Sequence, residues 1–249
     1  MTFKALPLRS ALTLLALALA AAWVVYAFQR EGLYHWQWAS VWPYLPVIGN
    51  GVLLTLETSA LSVVVGFLLG LGVALMRISS DAVLRWTALA YIEVIRNTPL
   101  MVQILIVYFG LGSVFEMDRF TAAVLSLSVF SGAYVAEILR ASIEAVPRGQ
   151  SEAARSLGMT HAQTMTYVIF PQALRISLPP LAGQFISLVK DSSLLSIISI
   201  AELTMSGREV VTVTFRAFEV YLLVALLYFA LTFPLSLLTR YMEGKLKPA

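Results

Sequence analysis

The sequence predicts an all-α integral membrane protein, and three observations carry that prediction. Of 249 residues, 59% are apolar and only 12% charged, with a mean hydropathy of +0.83. A soluble domain carries about 25% charged residues to cover its surface, so the surface of this chain faces hydrocarbon. Uncharged runs approaching the length that crosses a bilayer, about 20 residues, recur along the chain. Lys and Arg fall mostly on alternate connections, as a fixed orientation in a membrane requires. The lack of cysteine excludes disulfide frameworks, thiolate metal sites and cysteine nucleophiles. His35 and His161 lie too far apart in sequence to suggest a metal site. The excess of 17 Lys and Arg over 14 Asp and Glu is small, so nucleic acid is not an expected partner.

The first run, Ala11 to Phe28, lies between Arg9 and Arg30. Lys4 and Arg9 ahead of an Ala/Leu run resemble the start of a signal peptide. The run continues through Val24, Val25 and Phe28, beyond a typical signal core, so an uncleaved anchor helix is expected. Gln29 to Val47 follows as a loop whose Trp36, Trp38, Trp42 and Tyr44 make an aromatic belt for the headgroup layer. Residues 1–47 are thus an N-terminal anchor and external aromatic loop, and residues 48–249 the core domain.

Thr58 to Met76 is the second span and extends upstream through Glu57. Its Gly66 and Gly70 form a GxxxG pair, with Gly72 adjacent, that lets a neighbouring helix approach closely. Asn97 to Phe115 is the third, with Pro99 suited to a first helical turn. Phe120 to Ala136 is slightly short but strongly apolar. Tyr167 to Ala201 is long and apolar but interrupted by Pro171, Pro179, Pro180, Lys190 and Asp191, which predicts a discontinuous span. Val220 to Thr239 closes the set.

Orientation follows from the basic residues. With a cytoplasmic N-terminus, the inner segments hold Lys4, Arg9, Arg77, Arg85, Arg140, Arg148, Arg155, Arg175, Arg240, Lys245 and Lys247. The outer segments hold only Arg30, Arg119, Arg208 and Arg216. Eleven against four predicts that both termini are cytoplasmic, and it makes 139–175 a large cytoplasmic loop.

Within that loop, polar residues crowd the stretch from about 141 to 171. Ser151 suits a helix cap, Glu152 a first turn, and Gly158 a left-handed helix end. Gly149-Gln150-Ser151-Glu152-Ala153-Ala154, then Gly158, then Val168-Ile169-Phe170-Pro171, resembles the EAA loop of ABC-importer membrane subunits. Val168 and Phe170 replace that pattern's Ile and Leu. Further matches are Asn50 with Thr55-Leu56, Tyr91-Ile92-Glu93, Arg96-Asn97-Thr98-Pro99-Leu100, Gly132 to Ile138 with Arg140, and Lys190-Asp191-Ser192-Ser193-Leu194. Together they resemble the branch that imports polar amino acids, over roughly residues 48–243.

The resemblance implies a five-helix type I core, here with one extra N-terminal helix, in the cytoplasmic (inner) membrane. It implies a second permease subunit, identical or related, two cytoplasmic ATPase subunits and an extracytoplasmic solute-binding protein. The chain has no G-x-x-x-x-G-K-[ST] phosphate loop. It is therefore expected to bind no cofactor and to perform no covalent chemistry, with ATP and Mg held by the partner subunits. The resemblance places ATPase coupling on Gly149, Glu152, Ala153, Ala154 and Gly158.

Ionisable residues inside a membrane are costly and mark function. Glu57, Glu137, Lys190 and Asp191 qualify, and Ser192 follows the last pair at a helix interruption where backbone groups can line a cavity. Glu137 is three residues from Arg140, which also fits an ion pair on one helix face. Lys190 and Asp191 fit a structural or gating pair better than a substrate contact. Asn97 and Thr98 suit a gate or simply a helix start. Glu57 has no basic residue within a helical turn, so it is the first choice for selectivity and points to basic amino acids.

Three other readings fit the same residues less well. An importer of another small polar solute, such as an opine, would share every motif. An ion-gradient transporter or channel would use the same carboxylates but has no need of an ATPase docking loop. An intramembrane enzyme would need a nucleophile and base, and Lys190 and Ser192 fall on different helix faces.

Overall fold

The computed structural model describes residues 34–246, together with Ala16, Leu19, Trp23 and Tyr26, which are helical. The remainder of the expected anchor helix lies outside the described residues. Two 3-10 turns, Trp38–Ser40 and Trp42–Tyr44, lead into α1, Leu45–Arg77. The helix begins three residues before the boundary drawn at position 48, because Pro46 suits its first turn.

α2 is Ala82–Arg96, capped by Asp81, whose carboxylate accepts from the amides of Val83 and Leu84. α3 is Leu100–Val114, with a π-helical middle at Ile106–Leu111. α2 and α3 meet at 105° and together make one broken span. α4 is Arg119–Glu144 and α5 the short Arg148–Ser156. A helical turn at His161–Thr164 and a π turn at Met165–Ile169 run into α6, Phe170–Asp191, and Ser192–Ile198 continues as 3-10 helix. α7 is Leu203–Thr214 and α8 Ala217–Leu246.

Four helical stretches are long and apolar enough to cross a bilayer: Trp38–Arg77, Arg119–Glu144, His161–Ile198 and Ala217–Met242. The bent α2–α3 pair brings the number to five, in agreement with the expected five-helix core. No strand occurs among the described residues.

α1 and α4 form the centre of the bundle, and the GxxxG pair explains why they can lie so close. A Cβ at Gly70 would sit 2.6 Å from the Val135 side chain and 2.7 Å from the carbonyl of Gly132, and one at Gly66 would sit 3.0 Å from Ser131 Cβ. Gly72 faces open space. Val73, Ala74, Ala88, Ile92, Val135 and Ala136 complete this core near the end of the bundle that carries α5. A second cluster joins Leu100, Ile104, Leu127, Leu188 and Leu195.

At the opposite end the tryptophans pack on one another and on α8. Trp36 stacks on Trp38 at 6.0 Å, Trp38 on Trp42 at 5.8 Å, and Phe218 lies edge-on to Trp36 at 5.1 Å. Glu219, fully buried, accepts from the Tyr34 hydroxyl and from the Gln37 amide at 2.8 Å, and Arg216 donates to the Gln37 side chain. The aromatic belt is therefore also a clamp that ties residues 34–44 to the start of α8.

Two expectations about interruptions are corrected. Pro179 and Pro180 do not break their helix: α6 runs through both. Packing on α4, with Ser177 and Leu181 buried, holds the segment helical, and in hydrocarbon any further unpaired backbone would cost more than the proline defect. The run from Asn97 to Phe115 is not a self-contained straight span either. It is preceded by α2, whose Arg85, Glu93 and Arg96 hid it from a search for uncharged stretches.

Candidate functional site

The loop end of the bundle is built around α5. Pro147, extended at φ −55°, ψ 133°, is the N-cap residue, and Ser151 lies inside the helix with its hydroxyl donating to the Arg148 carbonyl at 2.9 Å. Ser151 is thus not the cap, and Glu152 is the fifth helical residue rather than part of the first turn. Pro147 has no side-chain acceptor to offer, and its carbonyl accepts from the Gln150 amide at 2.9 Å. At the other end Gly158 adopts φ +80°, donating to Arg155 O at 3.0 Å, while Met159 N reaches back to Ala154 O at 3.2 Å. That left-handed residue turns the chain into a capping box formed by Thr160 and Gln163.

The two faces of α5 differ. Ala154 is buried against its own chain, on a helix that contacts the Met165–Ile169 turn. Gly149, Glu152, Ala153 and Gly158 are exposed, and Leu157 next to them is 84% exposed. Of the five residues singled out for coupling, four therefore lie open to a partner. Ala154 is the small residue that lets α5 sit close to the bundle.

The break between α2 and α3 is satisfied by a residue that sequence reading passed over. Bending by 105° frees carbonyls that helical bonding would have used. Gln103, buried one turn into α3, donates its amide to Ile95 O at 2.8 Å, Thr98 O at 3.1 Å and Thr98 Oγ1 at 2.8 Å. Asn97 is tied to Glu93 through two bonds of 2.8 and 2.9 Å, and Thr98 donates to Val94 O at 2.8 Å. Asn97 and Thr98 stand exposed at this corner. A glutamine one turn after an Asn-Thr-Pro break was the available signal.

Beside the corner lies a chain of charges. Glu137 accepts from Arg140 Nε at 3.0 Å and from a terminal guanidinium nitrogen at 2.5 Å, and Arg140 also reaches Glu144 at 2.5 Å. Arg96, at the last position of α2, lies 3.9 Å from Glu137 with its guanidinium 5.4 Å from the Tyr134 ring centre. The ion pair expected of Glu137 on its own helix face is present, extended to a second helix by Arg96.

The second interruption falls at Ser192 to Glu202. α6 gives way to 3-10 helix at Ser192, a buried residue whose hydroxyl donates to Val189 O at 2.8 Å. Ser199 turns left-handed at φ 59°. Glu202, with no exposed surface, then caps α7 by accepting from the amides of Thr204 and Met205 at 2.8 Å, and Tyr228 donates to it at 2.7 Å. Leu203 N donates to Thr55 Oγ1 at 3.1 Å, so the cap is pinned to α1 as well. Thr55 is ten residues into α1, or about 15 Å from its start. α7 thus lies alongside the first turns of α1, with Val210 packed near Val41 and Ile48. The discontinuous span exists, but it breaks after Lys190 and Asp191 rather than at the prolines.

Lys190 is exposed and Asp191 half-buried, and neither takes part in an ion pair among the described residues. Glu57 is exposed on a face of α1 turned away from the buried Thr55, Thr58, Ser59 and Ser62, and it too has no ion pair there. No hydrogen bond or ion pair joins Glu57, the Asn97–Thr98 corner and Lys190–Asp191 to one another among the described residues.

Residues 62–248 match the family of binding-protein-dependent transport system inner membrane components. The glutamine transport system permease protein GlnP of Escherichia coli (strain K12) is 40% identical over 213 residues, covering 84% of this chain and 97% of that protein. The L-cystine transport system permease protein TcyB of Bacillus subtilis (strain 168) is 41% identical over 206 residues, 82% of this chain and 88% of that one. The arginine transport system permease protein ArtQ of the same strain is 35% identical over 207 residues, 82% and 94% of the two chains. A crystal structure of an amino acid ABC transporter with histidines superposes with a TM-score of 0.80 at 44% identity, over 85% of this chain and all of the other.

Proposed function

This chain belongs to the binding-protein-dependent transport system inner membrane components and is a permease subunit of an amino acid ABC importer, and from that premise we propose that it works in a pair of permease subunits to carry basic amino acids. Such a permease is a multi-pass inner-membrane protein that works with ATPase and solute-binding partners. The proposed assembly has two permease subunits, two cytoplasmic ATPase subunits and one delivering protein, with α5 and both termini on the cytoplasmic side. ATP and Mg are bound by the ATPase subunits, not by this chain.

Glu57 carries the substrate reading. It lies twelve residues into α1, about 18 Å along the helix, as an exposed carboxylate without an ion-pair partner among the described residues. A lone carboxylate at that depth is expensive unless it faces a water-filled path or a cation. A cavity between two permease subunits supplies the path, and an arginine, lysine or histidine side chain supplies the cation. The arginine permease among the relatives supports this choice, while the glutamine and cystine permeases show that the same scaffold serves other side chains. Asn97, Thr98, Lys190, Asp191 and Ser192 line or gate the path at the two backbone breaks. The Glu137 cluster holds the α2–α3 corner in place.

Energy enters through the open face of α5. Gly149, Glu152 and Ala153 dock in the ATPase subunit, and Gly158 lets the lever return to the bundle. Uptake into proteoliposomes holding the complete transporter tests the reading. Vanadate-sensitive uptake of arginine that needs the ATPase subunit is expected, and Glu57→Gln is expected to reduce arginine uptake far more than glutamine uptake. Equal loss for both substrates removes the charge argument, and uptake abolished by a protonophore alone removes the ATP-driven one.

A further inference from the structure

A cavity of about 580 Å³ opens between the end of α4, α5 and the turn that begins at His161. Its lining is divided by chemistry. Ile143, Val146 and Ile169 form an apolar side, the last two almost fully buried. Arg148, Arg155 and His161 form the other. Arg148 and Arg155 are seven residues apart on α5, so their side chains rise from nearly the same face two turns apart. Neither makes an ion pair or side-chain hydrogen bond among the described residues. The one carboxylate on the lining, Glu144, is already engaged by Arg140 at 2.5 Å.

Thr164 is an independent sign that something belongs there. It lines the cavity, is 2% exposed, and its Oγ1 has no hydrogen-bond partner. A helical threonine ordinarily donates to the carbonyl four residues back, as Thr87, Thr212, Thr232 and Thr239 do at 2.8–3.0 Å. Thr164 does not, and a buried hydroxyl left unpaired is unfavourable.

We propose that this cavity binds a phosphate-bearing anion, held by Arg148, Arg155 and His161 with Thr164 donating from the buried side. A phosphate group presents several acceptor oxygens and suits the planar donor fork of arginine. The apolar half of the lining accommodates the carbon skeleton to which the phosphate is attached. At the membrane end of a helix bundle, such basic pockets recognise anionic lipid headgroups; a free phosphate has the same polar chemistry and is told apart below. Bound there, the anion joins α5 to α4 and the start of the α6 segment and neutralises the arginines beside the open face of α5. That effect on coupling rests on the proposed role of α5, whereas the binding itself does not.

The complete transporter in nanodiscs provides the test. One set of discs contains phosphatidylcholine alone, the other phosphatidylcholine with phosphatidylglycerol, and inorganic phosphate is titrated into the first. Phosphorus-31 NMR and native mass spectrometry read bound phosphate and retained lipid. Retention of phosphatidylglycerol without uptake of inorganic phosphate assigns a lipid headgroup, and saturable phosphate binding in the first set assigns a soluble anion. The Arg148→Gln, Arg155→Gln double variant is expected to bind about thirtyfold more weakly. Thr164→Val is expected to weaken binding while its melting temperature stays level or rises, because the unpaired hydroxyl is gone. Binding from neither source, or affinities that both variants leave unchanged, overturns the proposal whether or not α5 couples to the ATPase.

Discussion

Tyr228 on α8 donates a 2.7 Å hydrogen bond to Glu202, the fully buried residue that caps α7. The Tyr228 hydroxyl also lies 3.2 Å from Thr204 Oγ1, so one phenol closes the network at the break between the α6 segment and α7. A buried carboxylate is tolerated when every acceptor is used, and losing one donor leaves the charge undersolvated. Tyr228→Phe is expected to lower unfolding stability by about 1.5–3 kcal/mol, read as a lower melting temperature in detergent. If Phe is tolerated without loss, the network does not hold the break.

The contact between α1 and α4 yields a paired comparison. Gly70→Ala places a methyl 2.6 Å from Val135 and 2.7 Å from a backbone carbonyl that cannot move freely. Overpacking of that kind costs about 1–3 kcal/mol. Gly72→Ala meets nothing within 4 Å and is expected to be neutral or slightly stabilising. Thermal unfolding of the two variants side by side checks the pair, and similar melting temperatures would show that α1 and α4 adjust at little cost.

Gly158 adopts φ +80° in open space, so a side chain there meets strain but no clash. Gly158→Asp is expected to cost about 1–2 kcal/mol and to leave the assembled transporter folded. Its effect should appear in coupling: ATP hydrolysis persists while substrate uptake falls. Uptake in proportion to hydrolysis, as in the parent, would remove Gly158 from the lever.

Gln103 closes the α2–α3 corner with three donor contacts. Gln103→Leu keeps the volume and removes them, leaving the carbonyls of Ile95 and Thr98 without that donor. A loss of about 1–3 kcal/mol is expected, with faster hydrogen exchange at Val102 and Gln103, whose amides bond to Pro99 O. Unchanged exchange would show that the corner is held by packing alone.

Composition and charge placement determined that this chain lives in a membrane, because the energetic gap between hydrocarbon and water is large enough for bulk apolarity to decide it. Motif spacing placed the α5 loop and the turn at Gly158, since a left-handed glycine leaves a local mark, whereas the helix start fell at Pro147 rather than at the expected Ser151. Gly66 and Gly70 likewise announced a close helix contact, though only the fold shows that α4 fills it and that Gly72 has no part. Other features needed tertiary structure. α2 escaped notice because Arg85, Glu93 and Arg96 interrupt its apolar run, and only the fold shows that Arg96 lies 3.9 Å from Glu137 of α4. The prolines of α6 misled because neighbouring helices can hold a backbone that its own residues would bend. Glu202, Tyr228, Gln103 and Thr164 are ordinary in sequence, and their importance arises from burial and from which donors face which acceptors, a relation that no local pattern records: Tyr228 meets Glu202 from 26 residues away, and the neighbouring Leu203 amide meets Thr55 from 148.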